Sequence, residues 1–223
     1  MTEVRMKDWC IAALDPERVG RFWGAALGLD RWVHTRPGVV GVGPQGTAQL
    51  WINRTDQAKV VKDRVHPDLL VPDLDRLLAL GATVHSEQDV FTVLADPEGH
   101  EMCAFPGGDP EGPPATVFAW CTDSARPVEV AAWWAARTGA TVGPGPDGTP
   151  RYLHGVPGLG DVTWKFVPVD DERVGENRVH WDLEGDADEL EAAGATVARR
   201  PDGDIDWTVM RDPDGNVFCC FAP

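Results

Sequence analysis
The sequence predicts an α+β chain of two tandem domains, residues 1–110 and 111–223, each built from two βαβββ units. Three observations carry this. The chain repeats itself: His66-Pro67-Asp68-Leu69 and Gly81-Ala82-Thr83-Val84 recur as His180-Trp181-Asp182-Leu183 and Gly194-Ala195-Thr196-Val197. The fronts of the halves match too, with Trp9-Cys10 answered by Trp120-Cys121 at an offset of 111 residues, so the duplicated unit is about 110 residues long. The stretch from Pro106 to Pro114 reads Pro-Gly-Gly-Asp-Pro-Glu-Gly-Pro-Pro. It cannot hold a helix or a central strand, because proline removes donors and glycine adds backbone entropy, and it marks the boundary. Finally, each half alternates strand-like runs with short amphipathic stretches in one order, strand, helix and meander, twice over.

The elements follow from local chemistry. Asp15-Pro16-Glu17 opens a helix with a cap oxygen, a proline in the first turn and a carboxylate near the positive end of the dipole. Val19, Phe22, Trp23, Ala26 and Leu27 form its apolar stripe, and Gly28 ends it. A short helix runs from about Asp73 to Leu80 with Leu74, Leu77 and Leu78 inward and Gly81 as its stop. In the second half the long helix runs from about Pro127 to Thr138, with Val130, Trp133, Trp134 and Arg137 at helical spacing, and the short one from about Asp186 to Ala193. Asp96-Pro97-Glu98-Gly99 and Asp212-Pro213-Asp214-Gly215 are type I turn sequences that close hairpins.

Composition excludes several partners. With 20 basic and 36 acidic side chains the net charge is -16, and such a surface repels phosphate backbones and anionic lipid. No apolar run approaches a membrane span. Five cysteines without framework spacing, and no apolar signal segment after Met1, predict free thiols in a reducing cytoplasm.

The chemistry gathers on the strand around each repeated histidine. Alternation sets Arg64, His66, Asp68 and Leu70 against Val65, Pro67, Leu69 and Val71, and sets Arg178, His180 and Asp182 against Val179, Trp181 and Leu183. The last strands sort Cys103 against Met102 and Ala104, and Cys219 against Phe218 and Cys220. If the recurring cysteine shares a face with the histidine, each half carries imidazole, carboxylate and thiol in one cavity. A plainer reading stands beside it. The histidines would be hydrogen-bonded fold residues beside Asp68 and Asp182, and the cysteines small buried hydrophobes.

Paired strand-helix-meander units, the His-x-x-Leu strand, Gly-Ala-Thr-Val after a short helix and the Asp-Pro-acid-Gly hairpin resemble the vicinal oxygen chelate superfamily in its glyoxalase-like branch. The resemblance implies an incomplete barrel of about eight strands per domain, helices outside, cupping a small-molecule site. The superfamily places up to four metal ligands on the first, fourth, fifth and eighth strands. Here those positions fall near Asp8 or Cys10, near Gln49, on His66 and on Cys103, then near Ala119 or Cys121, about Thr163, on His180 and on Cys219. Thiols replace the usual glutamates, so no cofactor is expected. If a metal is held, zinc on Gln49, His66 and Cys103 of the first domain is the candidate set. Trp51 and Trp164 flank the fourth-strand position as cavity walls.

The resulting expectation is a protein, monomer or homodimer, that binds or transforms a small organic molecule in one or both cups without the usual metal triad. His66 with Asp68, and His180, would be the catalytic groups. Gln49, Trp51, Cys103, Trp164 and Cys219 would line the ligand. Two alternatives remain open: a divalent-metal enzyme of lyase, isomerase or dioxygenase type, and a non-enzymatic sequestering protein of the bleomycin-resistance kind.

Overall fold
Helices form where boundary residues satisfy backbone groups that would otherwise lack partners. In the computed structural model, which describes residues 4–34, 38–42 and 49–223, α1 (Pro16–Leu27) begins on Asp15, whose carboxylate accepts from the Arg18 N–H at 3.1 Å, and ends on Gly28 in the left-handed region. α2 (Leu74–Ala79) and α4 (Ala187–Ala192) are capped by Asp73 and Asp186. α3 (Pro127–Thr138) relies on its proline and on Gly139. Leu77 is fully buried as expected, whereas Leu78 lies at the surface, because a two-turn helix buries only one narrow stripe. No helix of the described residues is long and apolar enough to cross a membrane.

The strands of the first repeat are β1 (Arg5–Ala13), β2 (Arg31–His34), β3 (Gly38–Val42), β4 (Gln49–Arg54), β5 (Val65–Val71), β6 (Thr83–Glu87), β7 (Thr92–Ala95) and β8 (Glu101–Pro106). Those of the second are β9 (Thr116–Ser124), β10 (Thr141–Pro144), β11 (Pro150–His154), β12 (Thr163–Pro168), β13 (Val179–Glu184), β14 (Thr196–Arg199), β15 (Thr208–Arg211) and β16 (Val217–Phe221). They form two eight-stranded sheets, in the orders β14-β15-β16-β13-β1-β4-β3-β2 and β10-β11-β12-β9-β5-β8-β7-β6. The paired βαβββ architecture is as expected, but the pairs are formed across the repeats. A middle sheet uses β5 to β12, and a terminal sheet joins β1–β4 to β13–β16. The junctions are antiparallel: β1 with β13 sets Cys10 opposite His180, and β5 with β9 sets His66 opposite Cys121.

The sheets meet through tryptophan. Trp23 of α1 packs on Trp9 at 4.8 Å, Trp9 on Trp120 at 4.5 Å and Trp120 on Trp181 at 4.7 Å. Trp181 continues to Trp164 at 6.0 Å, and Trp164 to Trp134 of α3 at 5.0 Å. The chain of rings steps between the terminal and middle sheets, each contact adding about 1 kcal/mol beyond the area it buries. Its ends are tied by the aspartates that open the repeated turns. Trp23 donates to Asp96 at 3.0 Å and Trp134 to Asp212 at 3.2 Å, and each carboxylate also accepts backbone N–H groups of its own turn.

A second tie runs from β1 to the loop before β12. The Met6 N–H donates to the Pro157 carbonyl at 2.8 Å, and Gly158, at φ 93°, sits where an added Cβ would lie 1.9 Å from the Met6 carbonyl oxygen. Gly158→Ala should therefore cost about 2 kcal/mol or more, as backbone must move. Gly148→Ala, also at positive φ but with nothing within 4 Å, should cost about 1 kcal/mol. Urea unfolding of both variants checks this, and equal losses would show that the Met6 contact is unimportant.

Candidate functional site
Strand alternation builds the middle site. Trp120 on β9, Trp164 and Phe166 on β12, and Val65 and Leu69 on β5 are buried on the core side, so Cys121, Lys165, His66 and Asp68 face the cup. The Lys165 ammonium meets Asp68 Oδ2 at 2.8 Å, and the Cys121 thiol donates to the same oxygen at 3.2 Å. His66 Nδ1 is 3.8 Å from Asp68 Oδ1 and its Nε2 is 4.0 Å from Asp123 Oδ1. Both distances exceed a hydrogen bond, so the imidazole is neighboured by carboxylates without being locked by them. Cys103 Sγ lies 3.9 Å from His66 Nδ1. Burial, then the charge of Asp68, pushes the Cys103 thiol well above its ordinary range, and Cys121 is shifted the same way. Neither is an activated nucleophile.

Rings wall this cup. The register shift between Asp68 and Leu69 leaves Phe118 as the extra residue of β9, a bulge that re-aims its side chain. Lys165 Nζ stands 4.5 Å from the Phe118 ring and 5.7 Å from those of Phe105 and Tyr152, while Phe91 stacks on Phe105 at 4.9 Å. A lysine on β12 approaching a ring on β8, three strands away, reflects the curl of the sheet.

The terminal site is the counterpart, with other charges. Asp8 is registered with Asp182, Cys10 with His180, and Asp182 with Cys219. Cys219 Sγ is 3.7 Å and Asp182 Oδ1 3.6 Å from His180 Nε2. Here the bulge residue is Lys7, which bonds Asp8 and stands 4.5 Å from the Phe221 ring, itself stacked on Trp207 at 5.2 Å. Burial pulls the Lys7 ammonium down, but its hydrogen bond to Asp8 and that group's charge outweigh burial and raise it. Burial lowers the His180 pKa to about 4 and, with the charge of Asp8 adding, raises that of Asp182 to about 6. Asp8 Oδ1 and Asp182 Oδ1 are buried with no hydrogen-bond partner among the described residues.

The two faces thus exchange a cation and an aromatic. The bulge holds Lys7 in one and Phe118 in the other; the strand position registered with the cup cysteine holds Trp51, beside Cys10, in one and Lys165, beside Cys121, in the other. Asp8 is answered by Ala119, registered with Asp68.

The expected residues divide accordingly. His66, Asp68 and Cys103 come together in the middle site, and His180 and Cys219 in the terminal one. The set Gln49, His66 and Cys103 is not assembled, because β4 belongs to the terminal sheet, where Gln49 is registered with Asp8; the Gln49 side chain lies outside the described residues. Trp164 is not a cavity wall. It is buried in the core, donating to Thr122 Oγ1 at 2.9 Å, since alternation turns Lys165 rather than its neighbour to the cup. Lys165 went unrecognised in the sequence, although a lone lysine between two buried aromatics on a strand was its signal.

Metal-ligand chemistry separates the sites. His66, Asp68 and Cys103 offer donor atoms within 4.8 Å of one another, as do Cys10, His180 and Asp182. In the middle site the ligand carboxylate itself, Asp68, is paired directly with the Lys165 ammonium, which disfavours a metal on that set, whereas in the terminal site Lys7 bonds Asp8, outside the set of Cys10, His180 and Asp182. In the terminal site two orphaned carboxylate oxygens, a neutral imidazole and a thiol suit a zinc-class ion.

Breaking the Lys165–Asp68 pair from one side should be costly, since both side chains are largely buried. Lys165→Met alone is expected to lose about 3 kcal/mol in urea unfolding, and Lys165→Met with Asp68→Asn to recover most of it. Additive losses would show that the two groups do not interact.

The sequence matches the glyoxalase-like domain family twice, over residues 8–105 and 119–221. Glyoxalase I from Zea mays superposes with a TM-score of 0.65 at 14% identity, over 98% of this chain and 92% of that one. A protein from Bacillus subtilis subsp. subtilis str. 168, provisionally assigned as a dioxygenase, gives 0.63 at 15% identity, over 100% and 86%. At such identities the likeness is one of fold. No curated protein sequence matches the chain. Two family matches covering nearly all of both repeats, on sheets of paired βαβββ units, place the chain in the glyoxalase-like domain family, as a tandem member of the vicinal oxygen chelate superfamily.

Proposed function
We propose that the protein binds a small organic molecule through a carbonyl or carboxylate oxygen in the middle cup and acts on it there without a metal. The observation that carries this reading is the setting of Lys165. Its ammonium has three N–H groups, and among the described residues Asp68 is its one oxygen partner, with the rings of Phe105, Phe118 and Tyr152 also beside it. A ligand oxygen supplies the missing acceptor, and the rings accept an apolar or aromatic body. His66 is the neighbouring imidazole, a group that can both accept and donate a proton. It takes a proton from the carbon beside the carbonyl; the C–H electron pair becomes a C=C bond and the carbonyl oxygen takes the negative charge beside Lys165. That is chemistry of the isomerase and lyase kind.

Phenylpyruvate, with a ring, a ketone and a carboxylate, is a suitable probe. Metal-free protein should bind it in calorimetry and accelerate exchange of its C3 protons with deuterated water. His66→Gln should slow that exchange about 100-fold while keeping binding, and the Lys165→Met/Asp68→Asn double variant should lose binding. Exchange unchanged by His66→Gln overturns the catalytic role; binding with no exchange at all identifies a sequestering protein instead.

A second reading concerns the terminal cup, where the orphaned oxygens of Asp8 and Asp182 favour a divalent ion held by Cys10, His180 and Asp182. When bound, such an ion supplies Lewis acidity to an oxygen ligand. Elemental mass spectrometry on protein purified without chelator should find no more than one zinc-class ion per chain, lost in Cys10→Ser and kept in Cys103→Ser. Two ions per chain, or the reverse pattern of loss, would refute the assignment.

A further inference from the structure
A cavity lies outside both cups. It has a volume of about 600 Å³ and opens between the sheets on the side of the tryptophan chain, lined among others by Arg5, Trp9, Leu27, Leu50, Trp120 and Leu159. Trp9 and Trp120 alternate with the cup-facing Cys10 and Cys121, so this space is on the opposite face of β1 and β9 from both sites. Its walls come from both sheets and from the linker, which is held in place by Ala115 N–H donating to the Ala26 carbonyl at 2.9 Å and by Arg76 donating to the carbonyls of Pro110 and Gly112. The volume falls within the range of small-molecule pockets.

The lining is apolar with one charged residue. The Arg5 side chain, exposed at the rim, has no hydrogen bond or ion pair among the described residues, in a chain whose net charge is -16. A single cation at the rim of an apolar chamber suits an anionic group carried on an apolar body. We infer that this cavity is a second binding site, separate from both cups, for an amphipathic monocarboxylate whose carboxylate meets Arg5 and whose hydrocarbon portion lies against Trp9 and Trp120.

Decanoate is the probe, with decyltrimethylammonium as the control of opposite charge. Calorimetry should show saturable decanoate binding and none of the cation, with a change in tryptophan emission. Arg5→Gln should weaken decanoate about tenfold and leave phenylpyruvate binding unchanged, and Val162→Trp, which fills the cavity, should abolish decanoate binding while the far-ultraviolet circular dichroism stays native. Equal binding of both amphiphiles, indifference to Arg5→Gln, or competition by phenylpyruvate would overturn the inference. So would failure to bind decanoate together with self-association in sedimentation, which would assign this face to a second copy of the chain.

Discussion
The pairing of β1 with β13 and of β5 with β9 is the constraint on which the rest of the molecule depends. Each junction joins two four-stranded halves from different repeats, and each carries a candidate site on one face and packing on the other. On the cup side they set Cys10 against His180 and Cys121 against His66. On the core side they bring Trp9, Trp120 and Trp181 into one line of rings. Because side chains alternate, a one-residue slip in either junction would send tryptophan into a cup and carboxylate into the core. Register, packing and chemistry are therefore one problem, solved twice.

The solutions differ in charge. In the middle cup the buried carboxylate of Asp68 is compensated by an internal ammonium. In the terminal cup two carboxylates face one lysine, and an oxygen of each lacks a hydrogen-bond partner among the described residues. Burial then acts as electrostatics requires: a charge without enough compensation shifts toward neutrality, as the raised Asp182 and the lowered His180 do. The two cups share the scaffold and a stacked aromatic pair, Phe91–Phe105 and Trp207–Phe221, while the lysine stands at the bulge in one and on the fourth strand of the repeat in the other.

Scarce cations are used elsewhere in this acidic chain to stitch segments together. Arg64 binds Asp171 and the carbonyls of Asp171 and Glu172, and Lys62 bridges Asp123 and Asp171, tying the strand of His66 to the segment after β12. Asp63 and His100 form a buried pair at 2.9 Å on the other side of that strand. The Arg64 and Lys62 contacts link the second unit of one repeat to the first unit of the next, reinforcing the cross-repeat pairing that the strands begin, while the Asp63–His100 pair ties β5 to β8 within one unit.

Local structure was legible from the sequence because its causes are local. The Asp15 and Asp73 caps, the Gly28 and Gly139 stops, the Asp-Pro-acid-Gly turns and the faces of the strands at His66, His180, Cys103 and Cys219 all depend on neighbours within a few residues. The duplication and the family follow from the same patterns. Which unit pairs with which was not legible: the four units share one alternation and one set of backbone donors, so either pairing satisfies the pattern, and only tertiary packing around the tryptophans selects between them. That choice moved Gln49 away from His66 and brought Lys165 to Asp68 across 97 residues of chain. The sequence by itself determined the elements, their faces and the presence of two candidate sites; the tertiary structure decided the membership and charge of each, because a site's electrostatics is set by residues that meet only when the sheets close.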